Sequence, residues 1–481
     1  MIILVGSKID QISIQGSLGK PEYSYFFLLK DFLPALEQMG RVIMVRSAEE
    51  VESLYAQHSS AGEEVVFLSF SPPHQAPLGL ACPTVVVFAW EFDTLPTVAW
   101  DGIQQNDWRY ALAQLQGAIC TSTETSTLVA QATLPGFPVA AMPAAIWDRY
   151  APLGLDNGIA VSLKERRFLF SGVVIDSPLL GLSADGLVRK PGPVEPLESS
   201  VTAPGALNQF WFLTKALLAG WLKEIRKPMA SSHGVGEQGS QSAPVATEPS
   251  ARPLSVSGVV YTTVLNPADG RKNWVDLVTA FCWAFKDTED ATLILKMTHH
   301  SLEHYRVVLM TLLSRLAPFR CRVLVLHGFL EDGQYHDLIK ASTYYVNASS
   351  CEGLCLPLME FLASGRPAIA PNHSAMADYL SADMAFLLKT SLEPSCWPHD
   401  PTGMLYTHRH RLNWESLMDA YRASYKLAKE DPARYQTMSS NGYRQMRSFA
   451  SIKAVSALLK DFLPLVQRTG TQRHVEEYPA T

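Results

Sequence analysis

Two carboxylates in the stretch SSCEGLCLPLMEF, residues 349–361, are the side chains of this sequence best suited to chemistry. Glu352 and Glu360 lie eight positions apart, with a glycine, a proline and almost nothing else polar between them. An unpaired carboxylate in an apolar setting costs several kcal/mol, so acids in such a segment need partners. The segment therefore predicts a site in which the two acids bind something polar.

The local pattern places these acids at the end of a strand and the start of a helix. The preceding letters, TYYVNAS, are typical of a buried strand, and Pro357 suits the first turn of a helix because proline lacks an N–H. We expect the helix to begin near Leu356 and to end at Gly365, since glycine commonly terminates helices. Glu352 then lies in the loop above the strand, and Glu360 lies about one turn into the helix.

A helix start of this kind is suited to binding an anion. The N–H groups of Leu354, Cys355 and Leu356 are directed out of the helix N-terminus, and doubly wound domains bind ligands at the carboxyl ends of their strands. A phosphate on these amides, flanked by two carboxylates that accept bonds from hydroxyls, describes a nucleotide sugar. Glu360 would bind the ribose and Glu352 the sugar. In the alternative interpretation, the acids only cap the helix and carry surface charge.

A resemblance to a known family gives the same interpretation. EGLCLPLMEFLASGRPAIAP resembles the E-x7-E segment of the retaining GT-B glycosyltransferases of group 1, and HGFLEDGQYHDLIKASTYYVNAS resembles the stretch that precedes it. The resemblance covers most of residues 259–380 and, more weakly, the first 150 residues. It implies that the second acid binds the donor ribose and that the first contacts the donor sugar. Gly353, next to the first acid, is therefore also a candidate donor contact.

The stretch LNPADGRKNWVDL carries the basic residues that the resemblance requires. The family has a lysine on the donor diphosphate at the end of the first loop of this domain, and Lys272 matches it. The family's usual arginine six residues earlier is Asn266 here, and Arg271 is the candidate to supply the missing charge. The resemblance thus implies Asn266, Arg271 and Lys272 as donor contacts. The alternative is a basic pair in a solvated surface turn.

The amino-terminal stretches depart further from the family. ISIQGSLGKPEYSYF places Gly16 and Gly19 in a loop after the first strand, where a glycine permits close approach of the donor phosphate and the acceptor. VVVFAWEFDTLP resembles a strand end that carries His-Asp in many members, but here the pair is Trp90-Glu91. We expect Glu91 to orient an acceptor hydroxyl. The alternative is that Trp90 and Glu91 only shape the cleft.

Alternating strand and helix patterns indicate how the chain positions these residues. Continuous β-branched runs separated by helices predict parallel sheets, so we expect an α/β protein of GT-B type, with two Rossmann-like doubly wound domains facing across a cleft. The predicted acceptor-side domain is 1–150, and an irregular linker with one amphipathic helix is 151–257. The predicted nucleotide-sugar donor domain is 258–447, and a helix and tail, 448–481, return toward the first domain.

Composition limits the other classes of function. A net charge of −6 over 481 residues gives no indication of nucleic-acid binding, and seven scattered cysteines with no secretory signal favour the cytoplasm. No apolar run reaches the ~20 residues that span a membrane. The segment NQFWFLTKALLAGWLKEIRK, 208–227, is either a helix packed on a domain edge or a helix in peripheral contact with a membrane.

Two possible metal patterns are weak. HSLEH, 300–304, has the spacing of two histidines on one helix face but no evident third ligand, and Cys351 and Cys355 form a single C-x3-C. We therefore expect no metal and no cofactor besides the donor.

The predicted function is transfer of a sugar, with retention, from a nucleotide diphosphate sugar to a hydroxyl of a glycan, lipid-linked or protein acceptor. Glu352, Lys272 and Glu91 are the candidate catalytic residues. A non-catalytic GT-B partner subunit of a glycan-assembly complex is the alternative from another class. A nucleotide-sugar epimerase on the same architecture is the third.

Overall fold

Part of the predicted site lies outside the residues that the structure describes. The computed structural model describes residues 1–7, 23–155, 163–180, 251–397, 400, 403 and 405–470. Gly16, Gly19 and the segment 208–227 fall outside these ranges, so the roles predicted for them stay predictions. Among the described residues, no helix is long and apolar enough to cross a membrane.

The first sheet is entirely parallel. Its strands are β1 (Ile2–Ser7), β2 (Arg41–Met44), β3 (Val65–Phe70), β4 (Thr84–Phe88), β5 (Gly117–Cys120) and β6 (Val139–Ala141). They lie in the order β2-β1-β3-β4-β5-β6. The helices along this part are α1 (Tyr23–Leu36), α2 (Ala48–Ser60), α3 (Trp108–Ala113) and α4 (Thr123–Ala132). Both β3 and β4 are buried along their whole length, as continuous apolar strands covered on both faces should be. The doubly wound arrangement predicted for this half is confirmed.

The segment predicted as an irregular linker contains regular structure. After α5 (Trp147–Tyr150) and α6 (Pro152–Leu155) come β7 (Arg166–Phe170), β8 (Val173–Asp176) and β9 (Arg252–Val256). β7 and β9 pair antiparallel, and only Phe168 and Phe170 of β7 are buried. Such half-exposed strands carry no continuous apolar run, which is why the sequence pattern did not reveal them.

The second sheet has six parallel strands and one antiparallel edge. Its strands after β8 are β10 (Val259–Leu265), β11 (Ala291–Met297), β12 (Arg322–His327), β13 (Tyr344–Val346), β14 (Ala368–Pro371) and β15 (Ala385–Leu388). The order is β15-β14-β13-β10-β11-β12-β8, and β8 pairs antiparallel with β12. The helices are α7 (Trp274–Ala284), α8 (Glu303–Leu316), α9 (Asp332–Ala341) and α10 (Leu356–Ala363). The second doubly wound sheet is therefore confirmed as well.

A hairpin and three helices complete the described chain. The hairpin consists of β16 (Thr390–Cys396) and β17 (Tyr406–Leu412), and the helices are α11 (Trp414–Glu430), α12 (Pro432–Ala450) and α13 (Ile452–Gly470). The predicted return of the C-terminal helix is observed, since Gln467 of α13 donates to the carbonyl of Val65 in β3 at 3.2 Å.

The two sheets are joined by a shared core. The described residues of both sheets belong to one compact unit. One apolar cluster includes Phe88 of β4, Leu358 of α10 and Leu459 of α13. The carboxyl end of β4 and the loop after β13 meet in this region, and both ends carry residues of the predicted site.

Candidate functional site

The loop between β13 and α10 has the local structure that the sequence predicts. The helix begins at Leu356 with Pro357 in its first turn, and it ends at Ala363, before Gly365 with φ +69°. Cys355, immediately before the helix, lies in the left-handed region with φ +62°. This residue bends the backbone out of the strand and into the helix, so that Glu352 lies above the strand and Glu360 lies on the helix.

Glu352 is buried against two cations. The Lys272 ammonium lies 2.5 Å from one carboxylate oxygen, and Arg271 lies 3.4 Å from the other. The amide of Glu352 donates to the Ser374 hydroxyl at 3.0 Å. Burial alone would raise the pKa of Glu352, but Lys272 and Arg271 lower it to about 2. The side chain is therefore a fixed negative charge at neutral pH.

Arg271 links this acid to the other sheet. Its Nη2 lies 3.0 Å from Glu91, which follows β4, and its Nε lies 2.9 Å from Asp269. Nη1 donates to the carbonyl of Cys351 at 3.0 Å as well as to Glu352. Burial disfavours the charged guanidinium, but Glu91 and Glu352 raise its pKa. Sequence reasoning proposed this arginine as a donor contact and did not detect its acidic partners.

The formal charge of this cluster is negative. Arg271 and Lys272 contribute two positive charges, whereas Glu91, Asp269 and Glu352 contribute three negative ones. All five side chains are at most about a quarter exposed, so water screens them weakly. A diphosphate that approaches these cations must therefore compete with the acids that already hold them.

Gly353 permits contact between the two sheets. A Cβ on this residue would lie 2.9 Å from the amide nitrogen of Trp90 and 3.1 Å from the Cβ of Ala89. The Thr121 hydroxyl, just after β5, donates to the Gly353 carbonyl at 2.5 Å. The glycine is thus required by the packing of the β4 end, which gives it a structural role beside the donor contact predicted for it.

Glu360 has a separate set of partners. It accepts hydrogen bonds from the Tyr150 hydroxyl at 3.1 Å and from the Tyr335 hydroxyl at 2.5 Å. Its residue is only 7% exposed. Burial raises the pKa of Glu360 to about 7, against the opposing effect of the Tyr335 hydrogen bond. The two acids of the motif therefore differ in charge state near neutral pH.

An ionic network lies beside Glu360. Arg149 contacts Asp31 at 3.1 Å and Asp332 at 2.8 Å, and Lys30 contacts Asp332 at 3.0 Å. Burial raises the pKa of Asp31 to about 6. The network joins α1 of the first sheet to α9 of the second, so it holds together the helices that surround Glu360.

The remaining predicted donor contacts lie around the same loop. The Asn266 side chain, at the end of β10, accepts from the amide of Ala268 at 3.1 Å. The carbonyl of Leu354 accepts from the Tyr379 hydroxyl at 3.0 Å. Leu356 begins the helix, and the Cys355 sulfur lies 2.9 Å from Nδ2 of Asn347. These positions fit the predicted site, and the donor contacts themselves stay predictions.

The hairpin contributes residues that the sequence did not reveal. Asp93, two residues after Glu91, accepts from the Thr407 hydroxyl at 2.7 Å and contacts His408 at 2.8 Å. Trp397 stacks on Phe92 with ring centroids 5.7 Å apart. The stretch THRHR, residues 407–411, is entirely polar and has no apolar alternation that would indicate a strand. Its long-range partners could not be deduced from spacing.

The hairpin also reaches the loop that carries Glu352. The amide of His410 donates to the carbonyl of Ser350 at 2.9 Å. The rings of His410 and His373 are stacked, with centroids 4.0 Å apart and an angle of 4° between planes. Burial lowers the pKa of His373 to about 3, so this ring is neutral. The hairpin thus braces both the β4 end and the Glu352 loop.

The metal patterns remain unsupported as sites. Helix α8 begins at Glu303, within HSLEH. Among the described residues, no group of three or more His, Cys, Asp or Glu side chains is arranged to hold a metal ion. Metal independence itself stays a prediction.

Comparisons with known proteins give only distant likenesses. No family model matches the sequence, and no curated protein matches it. The structure is similar to Anabaena HepE in complex with UDP and glucose, at 12% identity and a TM-score of 0.48, over 96% of this chain and 99% of that one. It is also similar to sucrose-phosphate synthase from Thermosynechococcus elongatus, at 13% identity and a TM-score of 0.48, over 97% and 99% of the two chains. A glycosyltransferase from Rickettsia africae matches at 8% identity and a TM-score of 0.48, over 98% and 99%. At these identities and scores the likenesses do not identify the chemistry of this chain.

Proposed function

We propose that this protein is a retaining GT-B glycosyltransferase, which transfers a sugar from a nucleotide diphosphate sugar to an acceptor hydroxyl. One observation carries the proposal. The carboxyl ends of β4, β10 and β13 meet, and they bring Glu91, Arg271, Lys272 and Glu352 into one cluster of contacts. Such ends are where doubly wound sheets bind ligands.

Each residue has a role that suits its chemistry. Lys272 and Arg271 would bind the diphosphate, because cations form strong charge-assisted bonds to phosphate oxygens. Glu352, which is ionised at neutral pH, would accept bonds from sugar hydroxyls, and Glu360 would accept them from the ribose. Glu91, from the other sheet, would orient the acceptor hydroxyl.

The bonds, electrons and proton of the transfer can all be accounted for with the donor, the acceptor and these side chains. The bond between the anomeric carbon and the diphosphate oxygen breaks, and the acceptor oxygen bonds to the same face of that carbon. The acceptor's proton passes to the departing diphosphate, whose oxygen has gained the bond's electrons. Lys272 and Arg271 stabilise the negative charge that develops there. Buried, fixed charges act strongly in this way, because little solvent reorganises during the reaction.

The acceptor class and location are further parts of the proposal. We infer a glycan, lipid-linked or protein acceptor, a cytoplasmic protein, and a reaction without metal or further cofactor. Peripheral membrane contact through 208–227 belongs to the same proposal.

One observation favours a second candidate, a non-catalytic partner subunit of a glycan-assembly complex. Both cations of the cluster are held by acids, and Glu360 is held by two tyrosine hydroxyls. A binding site that lost its ligand can keep such internal partners as structural contacts.

Nucleotide release separates the two candidates. The purified protein is incubated with UDP-, GDP- and ADP-sugars, with and without a mixture of oligosaccharide, polyprenyl phosphate and peptide acceptors, and free nucleoside diphosphate is measured. A transferase releases it faster when an acceptor is present, and Glu352→Gln abolishes this increase. The matched control is Glu289→Gln, an exposed acid paired with Arg320, which should leave the rate unchanged. No release under any condition, with nucleotide binding also absent, would support the non-catalytic subunit.

A further inference from the structure

Arg271 is shared by two acids that the proposed transfer uses for different substrates. Glu91 lies on the acceptor side, at 3.0 Å, and Glu352 lies on the donor side, at 3.4 Å. The guanidinium is the direct link between them, and its side chain is 19% exposed. Any change in the partners of Arg271 therefore affects both sides of the site.

The guanidinium of Arg271 is already largely occupied. Nη1 donates to the Cys351 carbonyl and to Glu352, whereas Nε lies 2.9 Å from Asp269 and Nη2 lies 3.0 Å from Glu91 as ion pairs. Asp269 is local to the same turn, and the Cys351 carbonyl is part of the loop backbone. Glu91 is therefore the partner most easily exchanged, because it comes from the other sheet and makes a single contact to Nη2.

We propose that Glu91 is an internal competitor of the donor diphosphate for Arg271. This inference rests on the proposed function. When a diphosphate binds the guanidinium, it takes the place of Glu91 beside Nη2, and the freed carboxylate becomes available to an acceptor hydroxyl. The same exchange therefore fills the donor site and makes the Glu91 carboxylate available on the acceptor side.

The charges of the cluster support this exchange. The five side chains carry a net formal charge of −1, so Glu91 repels an incoming diphosphate as well as occupying its partner. A diphosphate carries more negative charge than a single carboxylate, so its charge-assisted bond to Nη2 is the stronger contact. The diphosphate therefore displaces Glu91, but part of its affinity is lost in doing so.

The test measures nucleotide affinity by calorimetry with UDP, ADP and GDP. The tightest of the three for the unmodified protein is then used with Glu91→Gln, which keeps the size of the side chain and removes its charge. We expect the dissociation constant to fall by about threefold to tenfold, since charged contacts of this kind contribute on the order of 1 kcal/mol. At the same time, turnover with acceptor should fall, because the acceptor loses its carboxylate.

A double variant and a matched control locate the effect at Arg271. In an Arg271→Gln background, Glu91→Gln should tighten binding much less, because the shared partner is absent and only the repulsion is relieved. Glu289→Gln removes an equal charge at an exposed site and should change nothing. If Glu91→Gln is poorly folded, as judged by its melting temperature, Glu91→Asp replaces it, since the shorter acid also loses the contact.

The outcomes separate this inference from the proposed function. Unchanged or weaker nucleotide binding in a folded Glu91→Gln or Glu91→Asp variant overturns the competition, although the donor site would stand. Equal tightening with and without Arg271 also overturns it, because the effect would then be general electrostatics. If none of the three nucleotides binds the unmodified protein, the donor site and this inference fail together.

Discussion

The charge state of Glu360 should make the stability of the protein depend on pH. The carboxyl is buried, and the pKa that burial raises to about 7 compares with an ordinary value of 4.5. Between these two pH values the folded protein holds a proton that the unfolded chain releases. Stability therefore falls as the pH rises through this window, and the whole cost is present above pH 7.

The size of the effect follows from that difference. Each pH unit between the two values corresponds to about 1.4 kcal/mol, so ionising Glu360 in the folded protein costs about 3 kcal/mol above pH 7. Glu360→Gln removes the titration and keeps an oxygen that accepts from one tyrosine. Relative to the unmodified protein, the variant should therefore gain up to about 3 kcal/mol in free energy of unfolding between about pH 5 and pH 8.

Urea unfolding followed by tryptophan fluorescence measures this gain. Unmodified protein and variant are compared at several pH values between about 5 and 8. Asp31, whose pKa burial raises to about 6, is present in both proteins and largely cancels in the difference. Glu289→Gln is the control for loss of an exposed charge. If the stabilities of the unmodified protein and of Glu360→Gln run parallel over the whole range, Glu360 does not titrate as the structure indicates.

Three further perturbations test the rest of the site. Lys272→Ala should weaken binding of the tightest nucleoside diphosphate by roughly 1.5–3 kcal/mol in calorimetry, and unchanged affinity would contradict a diphosphate contact. Gly353→Ala should lower the melting temperature, because its Cβ would press on the backbone of Trp90, and an unchanged melting curve would show that this approach is loose. Lys296→Met should stabilise the protein in urea unfolding more at about pH 6 than at about pH 9. Burial lowers the pKa of this lysine to about 7, so the cost of its charge shrinks as the pH rises toward 10. A gain independent of pH would contradict the lowered pKa of Lys296.

Local signals predicted the helix and the loop correctly. Pro357 can only begin a helix comfortably, and Gly365 ends one, so the bounds of α10 follow from the chemistry of single residues. The buried strands were equally evident, because a continuous apolar run such as TVVVF has few other structures open to it.

Long-range pairing was not predictable by the same means. Glu91 and Arg271 are 180 positions apart, and no local pattern indicates that they form an ion pair. The contact of Asp93 with His408 has the same origin. The resemblance to a family made Arg271 a candidate donor contact, but the fold determines which acids lie around it.

The two acids of the opening stretch illustrate how position determines charge. Both are buried, and burial alone disfavours their ionised forms. Glu352 is nevertheless ionised, because the turn after β10 places two cations against it. Among the described residues, the hydrogen-bond partners of Glu360 are the hydroxyls of Tyr150 and Tyr335, and Asp31 nearby further raises its pKa. Because Glu352 stays an anion, it suits the role of accepting hydrogen bonds from the sugar hydroxyls while charge develops on the departing diphosphate. A group near its pKa at neutral pH can donate as well as accept, which suits the diol of a ribose. These charge states are compatible with the proposed division of roles, which stays a prediction.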